Sequence, residues 1–90
     1  MNKKMRREVD RHVGRQLRVA REFRGYSQDK LSKEIDLSFQ QVQKYERGDD
    51  RVSAGLIYDL SHILKVPLSY FYDGLPQPPT KIEKQEAPHG

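Results

Sequence analysis

The sequence contains no cysteine, which excludes disulfide scaffolds, thiolate metal sites and thiol nucleophiles. No apolar run approaches the roughly 20 residues that span a bilayer. Charged residues from Glu8 onward also occupy the place where a secretory signal would need its apolar stretch. We therefore expect a cytoplasmic protein with no membrane partner.

Features of enzymes are equally scarce. The three histidines, His12, His62 and His89, lack metal-ligand spacing, and no nucleophile has a recognisable base. Gly-rich phosphate loops are absent, and 90 residues leave little volume for a substrate pocket. We expect no enzymatic activity, no metal and no cofactor.

The chain has the size of one compact domain with a small core. Its net charge of +4 is unevenly distributed, because residues 1–30 hold ten Lys and Arg but only four Asp and Glu. Such an asymmetry can attract phosphates or an anionic membrane surface, or it can simply solvate a helix face. Charge alone leaves these alternatives open.

Apolar residues recur at spacings of three and four, which predicts helices, whereas strand-like alternation is scarce. The first helix is expected from about residue 9 to Gly25, and its apolar face holds Val13, Leu17, Ala20 and Phe23. Four further helices follow this one.

Two short helices are predicted next. Ser27 suits the N-cap of the second helix, which stops near residues 36–37. Ser38 opens the third helix and forms a predicted capping box with Gln41, and Gly48 ends it. The third helix has a core face with Val42 and Tyr45. Its other face carries Phe39, Gln40, Gln43, Lys44 and Arg47.

Two helices complete the pattern. Ser53 is the predicted N-cap of the fourth, which ends around residues 65–66, and Pro67 suits the first position of a short fifth helix closed by Gly74. The inward stripe of the fourth helix is Ile57, Leu60, Ser61 and Leu64. Four of the five prolines follow Gly74, so residues 75–90 are expected to be a disordered, proline-containing tail.

Residues 27–48 closely resemble the helix-turn-helix of the phage-repressor and Cro-type proteins, also called the XRE family. The resemblance rests on the Ser-Gln start at 27–28, Leu31 in the second helix and the Glu-x-Gly finish at 46–48. It extends over roughly residues 12–74. It implies an all-α, compact five-helix lambda-repressor-like domain, with the helix-turn-helix at helices two and three.

This resemblance divides the chain into a basic N-terminal extension at 1–10, a DNA-binding domain at 11–74 and the tail at 75–90. Ser32 and Ser61 replace the family's usual small Ala, and Asp36 replaces its common turn Gly. Asp tolerates the left-handed conformation that this turn needs. The departures are therefore compatible with the implied fold.

The resemblance implies sequence-specific binding of double-stranded DNA by a transcriptional regulator, a repressor that acts as a homodimer on an inverted-repeat operator. The third helix would be the recognition helix. Its base-reading residues would be Phe39, Gln40, Gln43 and Lys44, and the phosphate contacts would be Gln28, Ser38, Arg47 and Arg51. Arg21 and Glu46 align with a family pair that joins helix one to the end of helix three, so we interpret them as structural.

Several alternatives remain open from the sequence. Phe39 can lie against a thymine methyl or fold back on the domain, and Gln28 can anchor a phosphate or merely cap its helix. An antitoxin or adaptor could use the same fold mainly to hold a protein partner. A dimer surface or intramolecular packing accounts equally well for Leu56, Ile63, Tyr70, Tyr72 and Leu75.

Overall fold

A computed structural model describes residues 2–77 of the chain. This part contains α1 (Lys3–Phe23), α2 (Gln28–Glu34), α3 (Phe39–Arg47), α4 (Ala54–Leu64) and a 3-10 helix (Leu68–Tyr72). No strand occurs among residues 2–77, so the all-α prediction is confirmed. The predicted fifth helix is present as a 3-10 helix, and most of the predicted tail, residues 78–90, lies outside the described residues.

Serine residues are the N-caps of three of the helices. The Oγ atoms of Ser27, Ser38 and Ser53 accept hydrogen bonds from the backbone amides three residues later, at 3.0, 3.0 and 3.1 Å. Each bond satisfies one of the amides that have no partner in the first helical turn. The three N-caps predicted from the sequence are therefore correct.

Helix α1 begins at Lys3, earlier than the predicted start near residue 9. Asn2 caps it by accepting a hydrogen bond from the Met5 amide, and the Lys, Arg, Met and Glu residues that follow are good helix formers. Residues 3–10, which the sequence assigned to an extension, thus belong to α1. Although α1 has 21 residues, no helix within residues 2–77 is both long and apolar enough to cross a membrane.

The hydrophobic core lies where the helices converge. Most of the predicted inward-facing residues are buried, but Phe23 is 80% exposed, so its assignment to the core was wrong. Phe23 is the last residue of α1, and the guanidinium of Arg24 lies 5.4 Å from the centre of its ring. The largest fully buried side chains are Leu17, Leu31, Val42, Leu60, Leu64 and Phe71.

Helix α1 holds the 3-10 helix through reciprocal hydrogen bonds. The Gln16 amide donates to the Tyr70 carbonyl at 2.8 Å, and the Tyr70 hydroxyl donates to the Gln16 carbonyl at 2.7 Å. A ring nitrogen of His12 also lies 2.7 Å from the Asp73 carbonyl. These contacts fix the 3-10 helix, and Asp73 after it, against the middle of α1.

Candidate nucleic-acid interface

The turn between α2 and α3 determines the direction of α3. Asp36 adopts the left-handed conformation there, with a φ of 58°, and the Leu37 amide donates to the Ser32 carbonyl at 2.9 Å. Asp reaches this region more readily than most residues because its short side chain can form local hydrogen bonds. A tight turn without glycine therefore connects the two helices.

The first turn of α3 differs in one respect from the prediction. Ser38 accepts from the Gln41 amide, but the Gln41 side chain does not return to the Ser38 amide as a capping box requires. Its Nε2 instead donates to Asp50 Oδ2 at 2.9 Å. Gln41 thus ties the start of α3 to the loop that follows this helix.

One face of α3 is directed toward solvent and the opposite face toward the core. Val42 and Glu46 are buried, Tyr45 packs at the edge of the core, and Phe39 is 39% exposed. Gln40, Lys44 and Arg47 are exposed and Gln43 is half-buried. The structure therefore brings the four residues of the predicted base-reading set together on one accessible face.

A buried ion pair anchors the last turn of α3 to α1. The Arg21 guanidinium contacts Glu46 through two bonds, Nε to Oε2 at 2.6 Å and Nη2 to Oε1 at 3.1 Å, and the two side chains are only 9% and 4% exposed. Arg21 also donates to the Tyr26 carbonyl at 2.8 Å. Such a bidentate contact restrains both distance and orientation.

Gln28 joins the same network. Its Nε2 donates to Glu46 Oε1 at 2.9 Å, and the residue is half-buried at the first position of α2. One face of the amide group is thus engaged inside the protein. Because a side-chain amide nitrogen carries two donor hydrogens, the second is available to another acceptor.

The two arginines predicted to contact phosphate each face a carboxylate. Arg47 Nε lies 2.9 Å from Asp49 Oδ2, and Arg51 Nε lies 3.1 Å from Asp10 Oδ1. The hydrogen bond and the negative charge of Asp10 raise the pKa of Arg51 above its ordinary value. The side chains of Arg47 and Arg51 are 60% and 62% exposed, so solvent screens both contacts, although the Asp10 side chain is only 15% exposed. A phosphate can therefore compete for either arginine.

A family model described as Helix-turn-helix matches residues 17–71. The chain belongs to this helix-turn-helix family. The resemblance to the phage-repressor and Cro-type proteins is thereby confirmed.

Three relatives illustrate the extent of the helix-turn-helix match. An uncharacterized HTH-type transcriptional regulator of Sinorhizobium medicae is 44% identical over 75 residues, which are 83% of this chain and 54% of the relative. An uncharacterized transcriptional regulator in the ATPase CF(0) region of Rhodospirillum rubrum is 46% identical over 67 residues, 74% of this chain and 62% of the relative. An uncharacterized HTH-type transcriptional regulator of Sinorhizobium fredii is 49% identical over 65 residues, 72% of this chain and 46% of the relative. The chain thus spans about half the length of the curated relatives it matches.

Sequence reasoning missed two residues that position the helix-turn-helix. Asp10 pairs with Arg51 across 41 positions of sequence, and no local pattern indicates such a contact. Gly14 lies within α1, against the end of α3. A glycine inside a predicted helix costs about 1 kcal/mol relative to alanine, and that cost was a signal that packing requires it.

Proposed function

We propose that this chain binds double-stranded DNA selectively and regulates transcription in the cytoplasm, as a repressor that acts as a homodimer on inverted repeats. The observation that carries the proposal is the exposed face of α3, whose opposite side is held by the buried pair of Arg21 and Glu46. The three relatives described above are named as regulators and not as enzymes.

Selectivity would come from the first turns of α3 in the major groove. The exposed amide of Gln40 can donate to adenine N7 and accept from N6 as a bidentate pair, which contributes about 1–3 kcal/mol of discrimination. Phe39 is accessible enough to contact a thymine methyl. Gln43 and Lys44 lie one turn further along the same face and would reach adjacent bases.

Affinity would come from contacts to the phosphate backbone on both sides of α3. The exposed side chains of Arg47 and Arg51 would exchange their carboxylate partners for phosphate. Ser38 and the remaining donor of Gln28 would contact phosphates on the other side of α3. Such contacts orient the protein on the duplex without reading its sequence. We expect the affinity to fall steeply with salt.

A second copy of the chain would supply the second half-site. Of the residues considered for a dimer surface, Leu56, Ile63 and Tyr70 pack against the core. Tyr72 and Leu75 instead line an apolar depression together with Met5 and Val9. We propose this depression as part of the dimer surface, because exposed apolar area of this kind is stabilised by burial.

Selection of bound fragments from a random duplex pool, followed by the mass of the complex, tests the proposal. We expect inverted half-sites bound by two chains. Gln40→Ala should lower affinity for the selected site roughly 5- to 150-fold without weakening binding to random duplex. Arg47→Ala should weaken binding to all sequences alike.

Two results would contradict this assignment of roles. An Arg47→Ala protein that changed base preference with an unchanged salt dependence would show that Arg47 reads bases. Unchanged DNA affinity in both Gln40→Ala and Lys44→Ala would favour an antitoxin or adaptor that uses the fold mainly to bind another protein.

A further inference from the structure

Basic residues recur every four positions along the first half of α1. We call this set, Lys3, Arg7, Arg11 and Arg15, the α1 basic row. All four side chains are exposed, and the row extends about 18 Å at 1.5 Å per residue. Among residues 2–77, no carboxylate pairs with any member of the row.

The α1 basic row lies beside the loop that follows α3. Gly48 approaches α1 so closely that a Cβ on it would be 2.7 Å from the Arg11 Cα. The contact between Arg51 and Asp10 joins the same loop to the adjacent position of α1. These contacts make the row continuous with Arg47 at the end of α3.

The surface between the row and the loop carries an excess of positive charge. Six cations line it, namely Lys3, Arg6, Arg7, Arg11, Arg47 and Arg51. Only three carboxylates face these six cations: Asp10 pairs with Arg51, Asp49 pairs with Arg47, and Asp50 accepts a hydrogen bond from the neutral Gln41. The charge of the α1 basic row is therefore left to attract an anion from outside the protein.

We infer that the α1 basic row binds the phosphate backbone of the duplex next to the segment that α3 enters. The inference rests on the proposed function and adds a contact surface to it. Duplex DNA carries one charge per 1.7 Å of its axis, so an 18 Å row passes about ten phosphate charges. All four residues of the row precede residue 17, where the family match begins, so the row itself lies outside the matched segment.

A membrane is a poorer partner for this surface than DNA. A helix that lies on a bilayer buries its apolar face among the lipids. The apolar face of α1, with Val13, Leu17 and Ala20, is already buried in the core of the protein. The side of α1 that carries the row is charged, and a phosphate backbone requires no more than that.

The test compares the salt dependence of DNA binding in the wild type and four variants. Arg7→Gln and Lys3→Gln/Arg7→Gln remove members of the row, and Lys65→Gln is the matched control. Lys65 follows α4, and its carbonyl accepts a hydrogen bond from the guanidinium of Arg24, just after the C-terminal end of α1. Arg24 lies about 25 Å along the helix axis from Arg7. Arg7→Lys retains the charge.

The measured quantity is the slope of log K against log salt, on the selected site and on random duplex. We expect the slope to become shallower by about 0.9 for each phosphate contact removed, equally on both duplexes. Lys65→Gln and Arg7→Lys should keep the wild-type slope. Circular dichroism checks that each variant retains the helix content of the wild type.

A wild-type slope in both row variants, with selective binding by the wild type intact, would overturn this inference and leave the proposed function standing. Absence of selective duplex binding by the wild type would overturn both. A separate measurement tests whether the wild type and Arg7→Gln bind phosphatidylserine vesicles. Loss of vesicle binding in Arg7→Gln together with an unchanged DNA slope would assign the row to a membrane and overturn the inference.

Discussion

Gly14 of α1 lies directly against the backbone carbonyl of Glu46 in α3. A Cβ on Gly14 would be 2.7 Å from that oxygen, and it would also collide with the Tyr45 carbonyl. The obstructing atoms belong to the backbone, which cannot rotate away as a side chain can. The separation of α1 and α3 therefore depends on the absence of a side chain at this position.

Gly14→Ala should destabilise the fold, although alanine is the better helix former by about 1 kcal/mol. Overpacking of this kind costs about 1–3 kcal/mol, so we expect a clear fall in the midpoint of urea or thermal unfolding. Gly55→Ala is the control, because nothing lies within 4 Å of a Cβ at Gly55 in α4. The control should be neutral or slightly stabilising. Equal effects at the two glycines would refute the close approach of α1 and α3.

Removal of one member of the buried pair should cost more than removal of both. Glu46→Ala leaves the Arg21 guanidinium buried without its partner, for which we expect a loss of about 3–5 kcal/mol. The double variant Arg21→Met/Glu46→Leu replaces the charges with apolar groups and should lose much less. Denaturant unfolding of the matching singles, Arg21→Met and Glu46→Leu, and of the double variant measures the coupling. Additive losses would show that the two side chains do not interact.

Gln28→Ala separates two roles of the same amide. Loss of its hydrogen bond to a charged acceptor should lower the free energy of unfolding by about 1.5–3 kcal/mol. If the second donor contacts phosphate, the variant should also weaken binding to every duplex sequence and flatten the salt dependence. Unfolding and fluorescence anisotropy titrations provide the two measurements. Lower stability with unchanged affinity would restrict Gln28 to holding Glu46.

Tyr70 should make stability depend on pH in the alkaline range. Burial raises the pKa of Tyr70 above its ordinary value near 10, so the folded protein retains the proton at a pH where the unfolded chain has lost it. The contribution of protonated Tyr70 to the free energy of unfolding is fully present below about pH 10 and is lost as the pH rises through the pKa of the folded state. Urea unfolding between pH 8 and 11 should show the advantage of wild type over Tyr70→Phe shrinking. A constant difference would refute the effect of burial.

Several features of the candidate site were predictable because short-range chemistry sets them. Ser38 caps α3 with its own hydroxyl, Asp36 supplies the left-handed turn, and Gly48 ends the helix with a φ of 77°. Each depends on atoms within a few residues of sequence. The exposed face of α3 followed in the same way from helical spacing, with Val42 on the other side.

Other features of the site depend on partners that are distant in sequence. Gln41 bonds to Asp50 instead of completing the predicted capping box, because the loop after α3 places a carboxylate within its reach. Asp10 pairs with Arg51 only because α1 begins at Lys3 and passes beside that loop. Neither contact has a signature in local spacing.

The order of the helices, their caps and turns and the polar face of α3 were determined by the sequence itself, since local hydrogen bonding and helical periodicity produce them. The position of α3 relative to α1 was decided only by the tertiary structure. There a missing side chain at Gly14 and the buried contact of Arg21 with Glu46 bring two distant segments together. The physical reason is that packing and ion pairing depend on distances in space, and linear spacing does not encode those distances.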